Sequence, residues 1–163
     1  MLIRLKNKDT LLLDDFIFRC SIGKNGIRIK KKEGDYCTPK GTFSLKTLYY
    51  RPDRVQKPET EIITKKISKN MGWCNDPKNK KYNSLINIKE KMRYEKIYRQ
   101  DHKYNFLIVI DYNLKKPIPH KGSAIFIHLT NNYKPTAGCI ALKEKDLLIL
   151  LKLVNKKTKI KIS

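Results

Sequence analysis

The sequence predicts a mostly β domain that has one helix near its C-terminus. Short apolar or alternating runs dominate both ends of the chain, and turn signals such as Asn25-Gly26 separate them. Only one stretch has a helical pattern. A chain of 163 residues can bury a sizeable core without disulfides or metal, so we expect one domain over residues 1–163.

The predicted elements follow from the spacing of apolar residues. Strands are predicted at 2–5, 10–13, 16–18, 27–30, 43–50, 106–110, 124–128 and 159–162. The last of these alternates with period two and is predicted to be a closing edge strand. Glu144 to Val154 is the predicted helix. Residues 51–101 are polar and rich in turns, and a stretch of this length inside a small β domain favours an active-site insertion.

The net charge of +22 comes from 30 lysines and 7 arginines spread along the whole chain. Nucleic-acid binders usually concentrate charge on one face and use arginine for contacts, so we expect no specific nucleic-acid partner. Two interpretations stay open: a lysine-rich, solvated surface, or attraction to an anionic polymer such as a cell wall.

The four cysteines show no CxxC pair and no compact spacing. Cys20 lies in an apolar run and is predicted to be buried. Cys37 and Cys74 lie beside turn residues, which predicts partial exposure. Cys139 alone has the surroundings of a reactive thiol.

A histidine ends the apolar run Ile125-Phe126-Ile127-His128, and Thr136-Ala137-Gly138-Cys139 places a thiol directly after a glycine, eleven residues further on. A nucleophilic cysteine needs a base that ionises it and backbone N–H groups that hold the oxyanion. Glycine before the cysteine leaves room for a substrate carbonyl. The pattern therefore indicates a Cys139–His128 pair.

Two alternatives remain for these residues on spacing alone. In the first, His128 is a hydrogen-bonded histidine at the end of a strand and Cys139 is a small buried apolar residue. In the second, His120, His128 and Cys139 are the ligands of a zinc site, although their spacing matches no common zinc motif.

Further motifs carry a resemblance to the YkuD-type L,D-transpeptidase catalytic domain, whose signature is a histidine on a strand followed by Ser/Thr-x-Gly-Cys. The chain resembles a small single-domain branch of that family from about residue 20 to 155. The matching segments are Gly34-Asp35, Thr38-Pro39-Lys40-Gly41-Thr42-Phe43, Tyr50-Arg51-Pro52-Asp53-Arg54, Gly72-Trp73-Cys74-Asn75-Asp76-Pro77, Tyr82-Asn83, Val109-Ile110-Asp111-Tyr112-Asn113, Ala124-Ile125-Phe126-Ile127-His128 and Pro135-Thr136-Ala137-Gly138-Cys139-Ile140-Ala141-Leu142.

The resemblance implies a YkuD-like β-sandwich and a peptidoglycan L,D-transpeptidase. It implies that Cys139 attacks a tetrapeptide stem, D-alanine leaves, and an amine of a second stem resolves the thioester into a 3–3 cross-link. By the same resemblance His128 is the general base and acid, the backbone at Gly138 contributes to the oxyanion hole, and Thr136 orients the histidine. No metal or organic cofactor is implied.

Many family members carry a histidine directly before the Gly-Cys pair and an arginine two residues after it, where this chain has Ala137 and Ala141. A guanidinium that could hold a stem carboxylate is therefore missing. Arg51, Arg54 and Lys134 are candidates to replace it.

Other functions are open at this stage: an L,D-carboxypeptidase that uses water as acceptor, or a non-catalytic binder of anionic cell-wall polymer on an inactive scaffold. The substrate implies the bacterial cell envelope or periplasm. Met1 to Lys6 contains no signal-peptide pattern, so a cytoplasmic start or a trimmed mature form is expected. We expect no membrane span and a monomer that binds peptidoglycan stem peptides.

Overall fold

The computed structural model describes residues 1–29, 32–88 and 91–163, and strands dominate this part of the chain, which confirms the mostly β prediction. The strands are β1 (Leu2–Asn7), β2 (Thr10–Leu13), β3 (Phe16–Ser21), β4 (Ile27–Arg28), β5 (Thr38–Pro39), β6 (Gly41–Tyr50), β7 (Thr64–Lys66), β8 (Met71–Cys74), β9 (Leu85–Asn87), β10 (Tyr94–Lys96), β11 (Phe106–Ile110), β12 (Phe126–Leu129), β13 (Ile140–Leu142) and β14 (Lys159–Ile162). The helix α1 spans Glu144–Leu153. Lys30, at the end of a predicted strand, lies outside the described residues.

The main sheet closes on itself. The described strands pair in the order β1, β2, β3, β13, β12, β11, β6 and β14, and β14 pairs back with β1. Strand β6 has ten residues, long enough to pair with β11 along one edge and with β14 and then β7 along the other. The two layers of the predicted sandwich are therefore joined into a ring, which leaves few exposed edges.

The prediction that residues 159–162 form an edge strand is wrong. β14 lies between β1, with which it is parallel, and β6, with which it is antiparallel. Ile160 and Ile162 are buried, while Lys159 and Lys161 are exposed. Alternation reports that one face of a strand is buried, but it says nothing about how many edges are paired.

The main core fills the inside of the ring. Alternate residues of β11, β12 and β13 point inward, among them Ile108, Ile127 and Ile140. The helix adds Leu147, Leu150 and Leu151 to the same core. Their spacing of three and four residues places these leucines on one face of the helix, as the sequence predicts.

The middle of the chain covers the opposite, outer face of β11 and β12. The strands β8, β9 and β10 form a separate three-stranded sheet, called here the small sheet. Trp73 on β8 packs edge-on against Phe126 on β12, with ring centroids 5.1 Å apart. The sequence missed these strands because three or four residues are too few to show a period.

The prediction that Cys37 and Cys74 are partly exposed is wrong, since both are buried, as Cys20 is. The four cysteines all lie in the described part of the chain, and each is a thiol rather than half of a disulfide. Within the described part of the chain, no helix has the length and apolar character needed to cross a membrane.

Candidate active site

Cys139 and His128 lie on the same face of two adjacent strands. β12 and β13 are parallel, and Ile127 is paired with Ile140, so Cys139 lies beside Phe126. Because side chains alternate along a strand, His128 lies on the same face as Phe126, one diagonal step from Cys139. The two residues are therefore close neighbours on one face of the sheet.

The His128 ring is held in one tautomer. Its Nδ1 lies 2.8 Å from the carbonyl oxygen of Leu129. A carbonyl only accepts, so Nδ1 carries the proton and Nε2 is left with the lone pair when the ring is neutral. The side chain is only 6% exposed, and this burial lowers the pKa of His128 to about 4. At neutral pH the ring is therefore a neutral imidazole that can accept a proton at Nε2.

Cys139 is nearly closed off from solvent, at 8% exposed. It donates to the carbonyl of Ala124 at 3.2 Å, and its sulfur accepts the backbone N–H of Phe126 at 3.4 Å. The first contact suits a protonated thiol. The second would stabilise a thiolate, because an N–H donor favours the charged form of its acceptor.

The backbone before the cysteine requires glycine. Gly138 has φ +141°, and a Cβ there would lie 2.8 Å from the carbonyl oxygen of Cys37. The carbonyl of Gly138 accepts the hydroxyl of Thr38, which itself accepts the N–H of Gly23. The segment from 37 to 38 therefore fixes the turn that presents Cys139.

Thr136 contacts this turn. Its hydroxyl donates to the carbonyl of Cys139 at 2.6 Å and accepts the N–H of Gly138 at 3.1 Å. These contacts position the thiol and do not reach His128, so they do not support the predicted role of Thr136 in orienting the histidine. They also engage the N–H of Gly138, the predicted oxyanion donor.

Asn83 is a further functional candidate, to which the sequence analysis assigned no role. Its side chain is 2% exposed and makes four hydrogen bonds. Its Oδ1 accepts from the Trp73 indole and from the backbone of Ala124, and its amide donates to the carbonyls of Tyr112 and Asn113. Asn83 thereby holds the segment whose carbonyl receives the Cys139 thiol.

Ala124 depends on this support because its φ of +54° is unusual for a residue with a side chain. Asn83 itself has φ +57°, which asparagine tolerates better than most residues. The adjacent Tyr82 hydroxyl donates to Glu33 and accepts the N–H of Gly122. The Tyr82-Asn83 motif is thus a clamp on residues 122–124. A single sequence shows the Tyr82-Asn83 motif but not the backbone angles of Asn83 and Ala124, so it does not reveal that Asn83 supports Ala124.

Two of the three candidate carboxylate-binding residues serve the fold. Arg51 is buried, forms a two-point ion pair with Asp53, stacks on Tyr98 and donates to the carbonyl of Arg99. Arg54 donates to the carbonyls of Gln100 and Asp101 and to the side chain of Asn105. Both arginines hold the loop 99–105.

Lys134, the third candidate, is exposed. It remains available to contact a substrate carboxylate.

The structure does not support the zinc alternative. Across residues 1–29, 32–88 and 91–163, no three His, Cys, Asp or Glu side chains come together in a way that could hold a metal ion. His120 is exposed, whereas His128 and Cys139 are buried.

A β domain that brings a neutral histidine and a cysteine together on one face falls in the class of candidate cysteine–histidine enzymes. The YkuD family model, the L,D-transpeptidase catalytic domain, matches residues 3–162. The chain therefore belongs to the YkuD family of L,D-transpeptidase catalytic domains, whose members act on peptidoglycan. No curated protein and no solved structure gives a significant match.

Proposed function

We propose that this protein is a peptidoglycan L,D-transpeptidase that forms 3–3 cross-links with Cys139 as nucleophile and His128 as base. The placement of both residues on one face of adjacent strands, in a chain of this family, carries the proposal. The substrate would put the activity at the cell envelope.

In the first half-reaction, Nε2 of His128 takes the thiol proton and the Cys139 sulfur attacks the carbonyl of the third stem residue. The bond to the terminal D-alanine breaks, and the imidazolium returns the proton to the leaving amine. A thioester remains on the cysteine. A side-chain amine of a second stem then attacks the thioester, and the thiol is regenerated.

The oxyanion of each step needs donors, and mutagenesis elsewhere values one such donor at about 2.7–4 kcal/mol. The backbone at Gly138 remains our proposed donor. Since its N–H is bonded to Thr136 in this structure, that bond must be exchanged for the oxyanion when substrate binds. Cys139 is 8% exposed, so only a small part of this residue is open to the stem in this structure.

Incubation with purified disaccharide-tetrapeptides tests this function. We expect release of D-alanine and the appearance of 3–3 dimers, and we expect Cys139→Ala to abolish both. Full activity of Cys139→Ala would overturn the mechanism. Tripeptide that accumulates without dimers would identify water as the acceptor and replace the transpeptidase by an L,D-carboxypeptidase.

A matched variant separates the thiol from its surroundings. Cys37→Ala removes another buried thiol, from the segment that packs against Gly138. We expect this variant to retain the activity that Cys139→Ala loses. A folded Cys139→Ala that releases no D-alanine, beside an active Cys37→Ala, would exclude the binder on an inactive scaffold.

A further inference from the structure

A carboxyl group outside the proposed mechanism points toward the candidate site. Glu95 on β10 is directly paired with Trp73 on β8. Directly paired residues of an antiparallel sheet have their side chains on the same face, so Glu95 faces the main sheet as Trp73 does. Within the described residues, no lysine or arginine forms an ion pair with Glu95.

The hydroxyl of Tyr104 donates a hydrogen bond to the Glu95 carboxyl. The Tyr104 ring is buried and lies edge-on to the His128 ring, with centroids 5.3 Å apart, and edge-on to Phe126 at 6.1 Å. Tyr104 and Cys139 belong to the same buried cluster. Tyr104 thus contacts both the half-buried Glu95 carboxyl and the His128 ring, inside the cluster that contains Cys139.

We propose that Tyr104 is a further catalytic residue whose hydroxyl donates a hydrogen bond to the Cys139 thiolate, and that Glu95 is the positioning residue that holds the phenol. When the Glu95 carboxyl is protonated, it donates to the phenol oxygen, and the phenol proton is then free to turn toward sulfur. With Glu95 protonated, no covalent bond changes in this rearrangement; the hydrogen bond between Tyr104 and Glu95 reverses direction, and a new one forms from the phenol to the sulfur.

The electrostatics of the cluster agree with this arrangement. Burial raises the pKa of Glu95, which favours the neutral acid that the proposal needs, although the hydrogen bond from Tyr104 and the charge of Arg99 act in the other direction. Burial also raises the pKa of Tyr104 well above its ordinary value, and the negative charges of Glu95 and Cys139 add to this. The phenol therefore keeps its proton at neutral pH.

A hydrogen bond from Tyr104 to the thiolate would compensate for the weak basicity of His128. His128 is a weak base because of its burial, so proton transfer from the thiol to Nε2 is unfavourable unless the thiolate is stabilised. The N–H of Phe126 is one donor to the sulfur. A second donor from Tyr104 would raise the thiolate population, since hydrogen bonds to charged groups are stronger than those between neutral groups.

The test is alkylation of the full-length protein by iodoacetamide at pH 7, followed by peptide mass spectrometry that measures each cysteine separately. Tyr104→Phe keeps the ring and removes the hydroxyl, and we expect it to slow labelling of Cys139 about tenfold. Glu95→Gln keeps a donor to the phenol through its amide, so we expect no slowing. Cys37, which is similarly buried at 6% exposed, is the internal control and should label unchanged.

Labelling of Cys139 at the wild-type rate in Tyr104→Phe would overturn the role of the phenol. Slowing in Glu95→Gln as large as in Tyr104→Phe would overturn the relay from the neutral acid. If Tyr104→Phe fails to fold because Glu95 has lost its partner, the double variant with Glu95→Gln carries the same expectation for Cys139.

The role given to Tyr104 rests on the proposed function only in that the thiolate is taken to be the nucleophile. Labelling needs no peptidoglycan, so the two can fail separately. If Cys139 labels as expected in each variant but the wild-type protein turns over no stem peptides, the proposed transpeptidase function is wrong and the role of Tyr104 stands.

Discussion

The two faces of strands β11 and β12 differ in chemistry although they share a backbone. The inner face carries Ile108 and Ile127 and packs against other aliphatic side chains. The outer face carries Phe126 and His128, with Cys139 beside them, under the small sheet. Both faces are buried, but only the outer face contains polar groups that depend on hydrogen bonds supplied by distant segments.

Two buried thiols show what this difference does. Cys20 belongs to the inner core, where burial raises its pKa to about 12 and leaves it inert at neutral pH. Cys139, in the outer cluster, has a carbonyl acceptor and an N–H donor at its sulfur. The two thiols are therefore both buried but differ in the polar atoms at the sulfur.

Among the substitutions considered, Asn83→Ala should destabilise the outer face the most. It removes three buried hydrogen bonds and one half-buried one, among them those to the Trp73 indole and to the N–H of Ala124. We expect a loss of about 4 kcal/mol in the free energy of unfolding, measured by urea denaturation. The exposed Asn25, which makes a hydrogen bond to Asp35, is the control, and Asn25→Ala should cost far less. Equal losses of stability would mean that the four hydrogen bonds of Asn83 contribute no more than the single hydrogen bond of Asn25.

Gly138→Ala tests the turn that presents the thiol. The backbone at φ +141° disfavours a side chain, and the new Cβ would meet the Cys37 carbonyl. We expect a loss of about 3 kcal/mol and inactive protein. Gly34→Ala is the matched control, because Gly34 also has positive φ, but a Cβ there would have nothing within 4 Å. A Gly138→Ala variant as stable as Gly34→Ala would show that the Cys37 contact does not matter.

The pH dependence of stability tests the burial of His128. The folded pKa of about 4 lies below the ordinary value of 6.5. The unfolded chain therefore binds a proton first as the pH falls, and stability is lost between about pH 6.5 and 4. The full difference amounts to about 3 kcal/mol. Glu95, with a raised pKa, acts in the opposite direction.

The free energy of unfolding is measured by urea denaturation at several pH values for the wild-type protein and for His128→Gln, and the difference between them isolates the contribution of the histidine. This difference in free energy should decrease as the pH falls from about 6.5 to 4. The exposed His120 supplies the control, since His120→Gln should leave the slope unchanged. A wild-type slope that persists in His128→Gln would place the proton uptake elsewhere.

Arg51→Lys should have the smallest effect of the four. Lysine cannot reproduce the stacking on Tyr98 together with the bond to the Arg99 carbonyl, so we expect a loss of about 1–2 kcal/mol. The rate of D-alanine release should also fall, by a larger factor than the loss of stability explains, because the loop 99–105 carries Tyr104. Lys152→Ala breaks an exposed ion pair with Glu59 and should change neither quantity.

The inner face could be predicted from the sequence to a large extent. Runs such as Phe106–Ile110 report a buried strand directly, and the spacing of Leu147, Leu150 and Leu151 reports the helix. The identity of Cys139 and His128 as a candidate pair came from motifs. Their placement on one face follows from the parallel register of β12 and β13, which no local pattern contains.

The support of the outer face could not be predicted, because it comes from residues far apart in sequence. Thr38 reaches Gly138, and Asn83 reaches Ala124. The Asn83 contact also depends on how the small sheet lies on β12, and the strands of that sheet are too short to show a period. Polar groups that serve a buried site are therefore the least visible part of the chain in a single sequence.

The most direct test of the central claim is intact-protein mass spectrometry after rapid mixing with a disaccharide-tetrapeptide, followed by mapping of the adduct. We predict a disaccharide-tripeptide bound as a thioester to Cys139, with one D-alanine released for each adduct, and no adduct in Cys139→Ala. An adduct on another residue, or D-alanine released at the wild-type rate by Cys139→Ala, would contradict the assignment of Cys139 as the nucleophile.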